Sequence, residues 1–315
     1  MDCFCFVSRF PRMLLCAVSL FVASLFVSCE GSADSPGPLI PESELPRIRQ
    51  DVLDCVAIGP RFSGSPGAER TAEWILARIG ETGRKAELDV FTDQTPLGPV
   101  TFRNIVLDVP GKSGSFIVIG THYDTKYFPP DVPFQGANDG ASGVAALLAM
   151  IRRLDKAPSK LGIRFIFFDG EEARFSYGPS DGLHGSRRAV EELRRTGELS
   201  RCRAMILLDM VGDRDLRFTL PSDTPPFLAE TARNAADHLS AKGLLGTFSS
   251  PMVDDHVPFQ TAGIPSIDLI DFRYGPGNGY WHTSMDTQEN VSAESIRLAG
   301  CLVLEMIRDL EVKFR

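Results

Sequence analysis

The chain has 315 residues, of which 43% are hydrophobic and 23% are charged, and this composition is typical of a globular protein. Its formal net charge of −8 disfavours an electrostatic nucleic-acid binder, because such proteins carry a basic patch or stripe. The length alone allows one large domain or two small ones.

The N-terminus has the pattern of an export signal. Two arginines precede residues 13–27, an uncharged apolar stretch that is shorter than the roughly 20 residues of a membrane-spanning helix. Ser28 and Cys29 follow, and this junction resembles a bacterial lipoprotein signal, in which the cysteine becomes the lipidated first residue. An ordinary cleaved signal and a short uncleaved anchor are the alternatives. We therefore predict an export signal at residues 1–28, and a protein that is a cell-envelope lipoprotein or is periplasmic or secreted.

The next segment predicts a tether followed by one domain. Residues 29–46 contain the stretch GSADSPGPLIPESELP, whose serine, proline and glycine content is typical of a linker. No second linker of this kind follows, so residues 47–315 are predicted to form a single domain. The three cysteines of this domain lie too far apart for a disulfide framework or a CxxC metal site, and we expect them to be buried small hydrophobes.

Helices and strands alternate along this domain. Helices are predicted from apolar residues at helical spacing, and strands from continuous apolar runs. In chain order the predictions are a helix at 67–83, strands at 102–109 and 115–124, a helix at 141–154, strands at 163–169 and 203–212, a helix at 225–239, a strand at 265–272 and a helix at 292–310. This order indicates an α/β fold, with a mixed, mostly parallel central sheet flanked by helices.

The predicted strand at 163–169 ends on an unusual group of acids. Its apolar run stops at Asp169, and Glu171 and Glu172 follow directly. Two adjacent carboxylates at the end of a buried strand repel each other and resist desolvation. Their presence at this point therefore needs an explanation.

Other polar residues end or follow the apolar runs in the same way: His122, Asp124, Asp139, Asp209 and His282. Each of these acids, taken alone, could simply cap a helix or end a strand. Because open parallel sheets bind ligands beyond the carboxyl ends of their strands, we expect the whole set to converge at one edge. Imidazole and carboxylate ligands without thiolates suit zinc, and one glutamate of the pair could bind the metal while its neighbour transfers protons.

A family resemblance agrees with this hypothesis. The segments HYD, GANDGASG, GEE, LLD and WHT occur in this order, and the chain from about residue 60 to about residue 310 resembles the zinc aminopeptidase clan of the M28 type, and within it the glutaminyl cyclases. The resemblance implies that Asp139, Glu172 and His282 bind zinc and that Glu171 carries the proton.

The resemblance also implies roles for residues around this metal. In two-metal aminopeptidases of the clan, His122 and Asp209 hold a second metal and Asp139 bridges. Glutaminyl cyclases also have a histidine at the first of these positions and an aspartate at the second, but they bind no second zinc. One Zn²⁺ is therefore expected for a cyclase and two for an aminopeptidase. Asp124 is expected to orient His122 by accepting its second ring proton.

Several stretches favour the cyclase branch. HYDTKYF at 122–128, DDHVPF at 254–259 and Trp281 directly before the metal-binding histidine all resemble glutaminyl cyclases, whereas GANDGASGVA is closer to the peptidases. The insert between Glu172 and Gly185 is longer than in ordinary aminopeptidases of the clan. It contains Tyr177, at a position where animal cyclases carry tryptophan.

The resemblance implies cyclisation of N-terminal glutamine to pyroglutamate with loss of ammonia. Glu171 would move the proton, and Asp209 and Asp254 would hydrogen-bond around it. Trp281 and Tyr177 would form walls of the substrate pocket, although core packing of Trp281 and plain surface exposure of Tyr177 are alternatives.

Two other functions stay open. The first is an aminopeptidase that hydrolyses N-terminal residues, and the second is a lipoprotein binding module without catalytic activity. The expected partners are peptide or protein N-termini, with membrane contact only through the N-terminal signal or lipid anchor, and we expect a monomer.

Overall fold

The computed structural model describes residues 39–154 and 159–314 of the chain. The predicted export signal at 1–28 and most of the predicted tether lie outside the described residues. Ile40 is buried, a 3-10 helix spans Glu42–Glu44, and the first α-helix begins at Leu45. The prediction placed the start of the folded part at residue 47, but the structure places it earlier. Pro41 directly precedes the 3-10 helix, and Pro46 lies in the first turn of the α-helix, where a proline is tolerated.

Six strands form the central sheet, and two short strands form a separate parallel pair. The strands are β1 Glu87–Thr95, β2 Gly98–Val109, β3 Phe116–His122, β4 Gly162–Phe168, β5 Cys202–Asp209, β6 Phe218–Leu220, β7 Leu245–Thr247 and β8 Ser266–Ile270. The order across the central sheet is β1-β2-β4-β3-β5-β8. β1, β2 and β4 pair antiparallel, whereas β4, β3, β5 and β8 run parallel. The predicted mixed, mostly parallel sheet is confirmed.

Seven α-helices occur in the described residues. They are α1 Leu45–Ala57, α2 Pro66–Gly80, α3 Ala141–Arg153, α4 His184–Arg195, α5 Pro226–His238, α6 His256–Thr261 and α7 Ala293–Lys313. The long last helix begins as predicted, because the Ser292 side chain accepts a hydrogen bond from the Ser295 N–H. Among the described residues, no helix combines the length and apolar character that crossing a bilayer requires.

Helices cover both faces of the sheet. Ile117 and Ile119 of β3 pack into the larger core with α1, α2, α3, α5 and α7, whereas Val118 faces a smaller core with α4 and α6. Because successive side chains of a strand point to opposite faces, a strand covered on both faces is apolar throughout. This explains the continuous apolar runs of the sequence. Cys55, Cys202 and Cys301 are buried and free, as predicted.

The sheet order positions the polar groups. β3 lies between β4 and β5, and all three run parallel, so their carboxyl ends open onto one edge of the sheet. His122 ends β3, Asp209 ends β5, and the Glu171–Glu172 pair follows β4. The predicted convergence is therefore a direct result of topology.

Candidate metal centre and active site

Asp139, Glu172 and His282 converge from three loops. The His282 Nε2 lies 3.0 Å from Glu172 Oε1 and 3.2 Å from Asp139 Oδ2. One potential ligand atom from each residue lies within 4.8 Å of the other two, and both carboxylates are buried. The structure thus brings together the three residues that the sequence predicted as zinc ligands.

The donor set fits a zinc ion. Glu172 Oε2 is buried and accepts no hydrogen bond within the described residues, although the Lys126 ammonium lies 3.4 Å away. Burial disfavours the charged form of Glu172 and raises its pKa, and the nearby Asp139 carboxylate raises it further. A divalent cation would relieve both costs, and imidazole with carboxylate oxygens is a ligand set that zinc accepts.

A second cluster lies beside the first and shares Asp139. The His122 Nε2 is 3.0 Å from Asp209 Oδ1 and 3.2 Å from Asp139 Oδ1. These three residues also present ligand atoms within 4.8 Å of one another. Burial lowers the pKa of His122, but the carboxylates of Asp209, Asp124 and Asp139 outweigh it and raise the pKa well above its usual value. The geometry is compatible with a second cation bridged by Asp139.

Asp124 contacts these groups differently from the expectation. Its backbone carbonyl oxygen lies 3.1 Å from His122 Nδ1, whereas its carboxylate oxygen is 3.6 Å away. The carboxylate instead accepts the backbone N–H groups of Glu171 at 3.1 Å and Glu172 at 3.2 Å. The nearer acceptor of the His122 ring proton is therefore the carbonyl, because two N–H donors hold the carboxylate against the glutamate pair.

Glu171 lies at the centre of the acidic edge. It is 5% exposed, and its Oε1 accepts a hydrogen bond of 2.8 Å from the Tyr177 hydroxyl. Burial raises the pKa of Glu171 well above its usual value, and the adjacent Glu172 carboxylate adds to this shift. A carboxyl group with a raised pKa can both accept and return a proton near neutral pH.

Asp209 and Asp254 line the same cavity as Glu171. Burial raises the pKa of each, as does the charge of neighbouring carboxylates. Asp209 is bonded to His122, and Asp254 accepts the Asp255 N–H at 2.6 Å. Within the part of the chain that the structure describes, neither hydrogen-bonds to Glu171, which differs from the expectation. Two ionised carboxylates are both acceptors, so such a bond needs a shared proton.

A cavity of about 270 Å³ opens onto these carboxylates. Trp281 and Tyr177 both line it, as does Phe272, whereas Tyr274 is fully buried behind them and is not among the lining residues. The Trp281 ring stacks on His282 with centroids 4.1 Å apart and meets Phe272 edge-on at 4.8 Å. Trp281 thus packs against a metal-site residue and also presents a wall to the cavity.

Sequence reasoning missed two residues that contact the ligands. Asp286 is buried and accepts the backbone N–H groups of Asn138 at 2.7 Å and Asp139 at 3.1 Å. Lys126 Nζ lies 3.4 Å from Glu172 Oε2. Lys126 belongs to the marked segment HYDTKYF, and Asp286 follows the marked segment WHT by three residues. Nothing in the sequence showed that their side chains turn toward the candidate metal site.

A buried polar group lies next to Asp254. His256 Nδ1 is 3.8 Å from Asp268 Oδ2, and neither side chain has a hydrogen-bond partner among the described residues. Burial lowers the pKa of His256 to about 4 and raises the pKa of Asp268 well above its usual value, so burial favours the neutral form of each group. Among the described residues, no hydrogen bond therefore ties the His256 imidazole to the active-site groups.

A larger groove lies away from this chemistry. It has a volume of about 670 Å³ and is lined by residues of β1, α4 and α6, including Phe91 and Arg187. Its lining residues share none with the two histidine–carboxylate clusters. The smaller cavity, which opens onto Glu171 and the clusters, is therefore the candidate active site.

Comparisons with known proteins agree with this location. The sequence profile of peptidase family M28 matches residues 104–307. The glutaminyl-peptide cyclotransferase of Bothrops jararaca is 33% identical over 298 residues, covering 81% of this chain and 78% of the relative.

Solved structures show the same relationship. A glutaminyl cyclase from an Acidobacteriales bacterium is similar with a TM-score of 0.83 and 34% identity, covering 90% of this chain and 98% of that one. A Zn-dependent exopeptidase from Parabacteroides distasonis is similar with a TM-score of 0.75 and 26% identity, covering 86% of this chain and 99% of that one.

Proposed function

Since the chain belongs to peptidase family M28, and within that family to the glutaminyl-peptide cyclotransferases, we propose that it converts N-terminal glutamine to pyroglutamate and releases ammonia. The observation that carries this proposal is the cavity of about 270 Å³, which brings Glu171 and the Asp139–Glu172–His282 cluster to the same enclosed volume. A glutaminyl side chain is small enough to enter such a space.

We assign zinc to the cluster formed by Asp139, Glu172 and His282. When bound, zinc supplies a Lewis acid that polarises a carbonyl oxygen. The buried oxygen of Glu172 without a hydrogen bond and the absence of thiolates among these ligands support the assignment.

The residues of the chain would then handle position and protons. Trp281 and Tyr177 confine the glutaminyl chain, so that the substrate's α-amine lies against its own side-chain amide carbon. Intramolecular attack gains from this proximity, with effective molarities of order 10⁵ M in well-oriented systems. A carbon–nitrogen bond forms to the α-amine, and the bond to the amide nitrogen breaks. Glu171 takes the proton of the attacking amine and returns it to the leaving nitrogen, which departs as ammonia.

Asp209 and Asp254 retain catalytic roles in this proposal. Both line the cavity in which the substrate would lie. Because burial raises their pKa values, either can hold a proton close to Glu171 while charge develops there. Asp209 also fixes His122 through the 3.0 Å contact at Nε2.

Aminopeptidase activity is the second candidate. It is favoured by the second cluster, His122, Asp139 and Asp209, which offers ligand atoms for another cation. The similar fold of the Parabacteroides exopeptidase agrees with this alternative. In that reaction Glu171 would act as the general base for an attacking water.

One assay separates the two activities. The purified protein, loaded with zinc, is incubated with a peptide that begins with glutamine and, separately, with leucine amide. Ammonia together with a pyroglutamyl peptide is the expected result. Free leucine without pyroglutamate would transfer the assignment to the aminopeptidase.

We further propose that the protein is exported and acts on peptide or protein N-termini as a monomer. The N-terminal apolar stretch and Cys29 support export and lipid attachment. Metabolic labelling with a radioactive fatty acid tests the attachment: wild type should carry the label, and Cys29→Ala should not. Wild-type protein without the label would argue against a lipid anchor.

A further inference from the structure

The carboxylate of Glu171 has a single hydrogen-bond partner within the described residues. The Tyr177 hydroxyl donates to Oε1 at 2.8 Å. The Asp124 carboxylate holds the backbone N–H of Glu171, but this contact leaves the Glu171 side chain free to rotate. The orientation of the Glu171 carboxylate therefore depends on where Tyr177 is placed.

The loop that holds Tyr177 is fixed by its own hydrogen bonds. The Asp181 carboxylate is buried and accepts backbone N–H groups from Arg174, Phe175 and Ser176. Gly178 and Asp181 exchange two backbone hydrogen bonds, of 2.9 Å and 3.3 Å. Because these bonds form on both sides of Tyr177, the insert makes a hydrogen-bonded turn around it.

The end of the insert is tied back to the glutamate. The Leu183 N–H donates to the Glu171 carbonyl oxygen at 3.0 Å. The ring of Tyr177 packs on the backbone of Gly182, where an added Cβ would lie 2.5 Å from Tyr177 Cδ1. Gly182 also has φ of +75°, a conformation that other residues rarely adopt. The Tyr177 ring therefore packs against the Gly182 backbone, next to the carbonyl oxygen of Glu171.

The Tyr177 hydroxyl is a donor in this contact. Burial among the carboxylates raises its pKa, and Glu171 and Glu172 contribute to the shift. Although 41% of the residue is exposed, its hydroxyl lies inside the acidic cavity. It therefore stays protonated at neutral pH and donates to the carboxylate.

We propose that Tyr177, besides forming a wall of the cavity, is a positioning residue for proton transfer: its hydroxyl holds Oε1 of Glu171 and leaves Oε2 to exchange the proton with the substrate. This inference rests on the proposed function. The transferred proton moves from the α-amine to Oε2 and from Oε2 to the leaving amide nitrogen, and Tyr177 keeps its own proton throughout.

The test compares Tyr177→Phe with the matched control Tyr127→Phe. Both variants lose one phenolic oxygen, but the Tyr127 hydroxyl makes no hydrogen bond within the described residues, and its ring packs against Phe62 and Arg174. We measure kcat and KM for a peptide that begins with glutamine, the zinc affinity and the thermal midpoint of each protein.

Tyr177→Phe should lower kcat by about tenfold or more, because a hydrogen bond to a charged group is lost, with KM within about twofold of wild type. Its zinc affinity and thermal midpoint should stay unchanged, and Tyr127→Phe should behave as wild type. An unchanged kcat, or a raised KM alone, would reduce Tyr177 to a pocket wall and overturn the inference.

Failure of the proposed function gives a different result. A wild-type protein that produces no pyroglutamate but releases leucine from leucine amide fails as a cyclase. The same comparison of kcat is then made with leucine amide, because Glu171 carries the proton in either reaction. A tenfold loss in Tyr177→Phe would support the positioning role there, and no loss would refute it.

Discussion

The His282 Nε2 lies 3.0 Å from Glu172 Oε1, although 110 positions separate these residues in the chain. The backbone of His282 is in the left-handed region, with φ of 53°, which is uncommon for a residue that is not glycine. Strained backbone of this kind often occurs at functional sites, where the surrounding structure holds it. The contact joins the loop after β8 to the loop after β4 and defines the candidate metal centre.

Removal of this imidazole should weaken zinc binding. We expect His282→Ala to lose more affinity than the roughly 10- to 100-fold that follows loss of a hydrogen-bond partner behind a ligand. His238→Ala is the matched control, because the His238 side chain is 61% exposed and lies on α5. Isothermal titration calorimetry measures the zinc affinity of both variants. Equal affinities in the two would remove His282 from the ligand set.

Zinc affinity should rise with pH. Burial lowers the pKa of His282, but hydrogen bonds to Asp139 and Glu172 outweigh it and raise the pKa to about 10. Because the pKa of His282 is raised, its charged ring stabilises the metal-free fold, and this stabilisation is complete below the usual histidine pKa of 6.5. It is lost as the pH rises through about 10. Zinc must displace the ring proton, so affinity should increase by up to about tenfold per pH unit below that value.

Proton release measured by titration calorimetry in buffers of different ionisation enthalpy checks this pH dependence. His282→Ala should release fewer protons than wild type. An affinity that stays flat between about pH 6 and about pH 8 would contradict the assigned protonation state.

Asp286 should matter for metal affinity without binding the metal. Its carboxylate accepts the N–H groups of Asn138 and Asp139, which orients the loop that holds the Asp139 ligand. Asp286→Asn retains one acceptor oxygen, so one of the two N–H groups loses its partner. We expect roughly a 10- to 100-fold loss of zinc affinity. The exposed Asp108→Asn is the control, and equal effects in both variants would refute a specific role.

Arg61 should be essential to stability. It is fully buried, and its guanidinium donates to the carbonyl oxygens of Tyr123 at 3.2 Å, Gln135 at 3.0 Å and Gly136 at 2.8 Å. Arg61→Ala leaves these carbonyls without donors and should lower the free energy of unfolding by about 3 kcal/mol or more.

Urea denaturation measures this effect of Arg61. Arg70→Ala is the control, because Arg70 makes one exposed hydrogen bond to the Ile58 carbonyl. We expect its free energy of unfolding to change by less than about 0.5 kcal/mol. A similarly small change in the free energy of unfolding of Arg61→Ala would show that the buried guanidinium contributes little to stability.

The strands covered on both faces were predictable, because the buried part of a strand such as β5, residues 204–208, must be apolar on both faces. β1 was missed, since it is an edge strand whose residues are exposed or only half-buried and show no apolar run. α1 was also missed, and its first two residues lie in the stretch with linker composition, where Ile40 nevertheless packs into the core. Local composition cannot show which apolar residue packs against core residues that are distant in the sequence.

The site was predictable as far as topology determines it. Parallel strands place their carboxyl ends together, so the meeting of His122, Asp209 and the glutamate pair followed from the strand order. The hydrogen bond from Tyr177 to Glu171 and the turn of the Asp124 carboxylate toward two backbone N–H groups were not predictable. Both depend on loop conformations that the residue types alone do not determine.

The most direct measurement follows ammonia release from a glutaminyl peptide by wild type and by Glu171→Gln, with bound zinc determined by elemental analysis in the same samples. We predict that Glu171→Gln retains the zinc content of wild type and releases no ammonia above background. Full activity of that variant, or wild-type protein that folds without any affinity for zinc, would contradict a metal centre served by Glu171 as proton carrier.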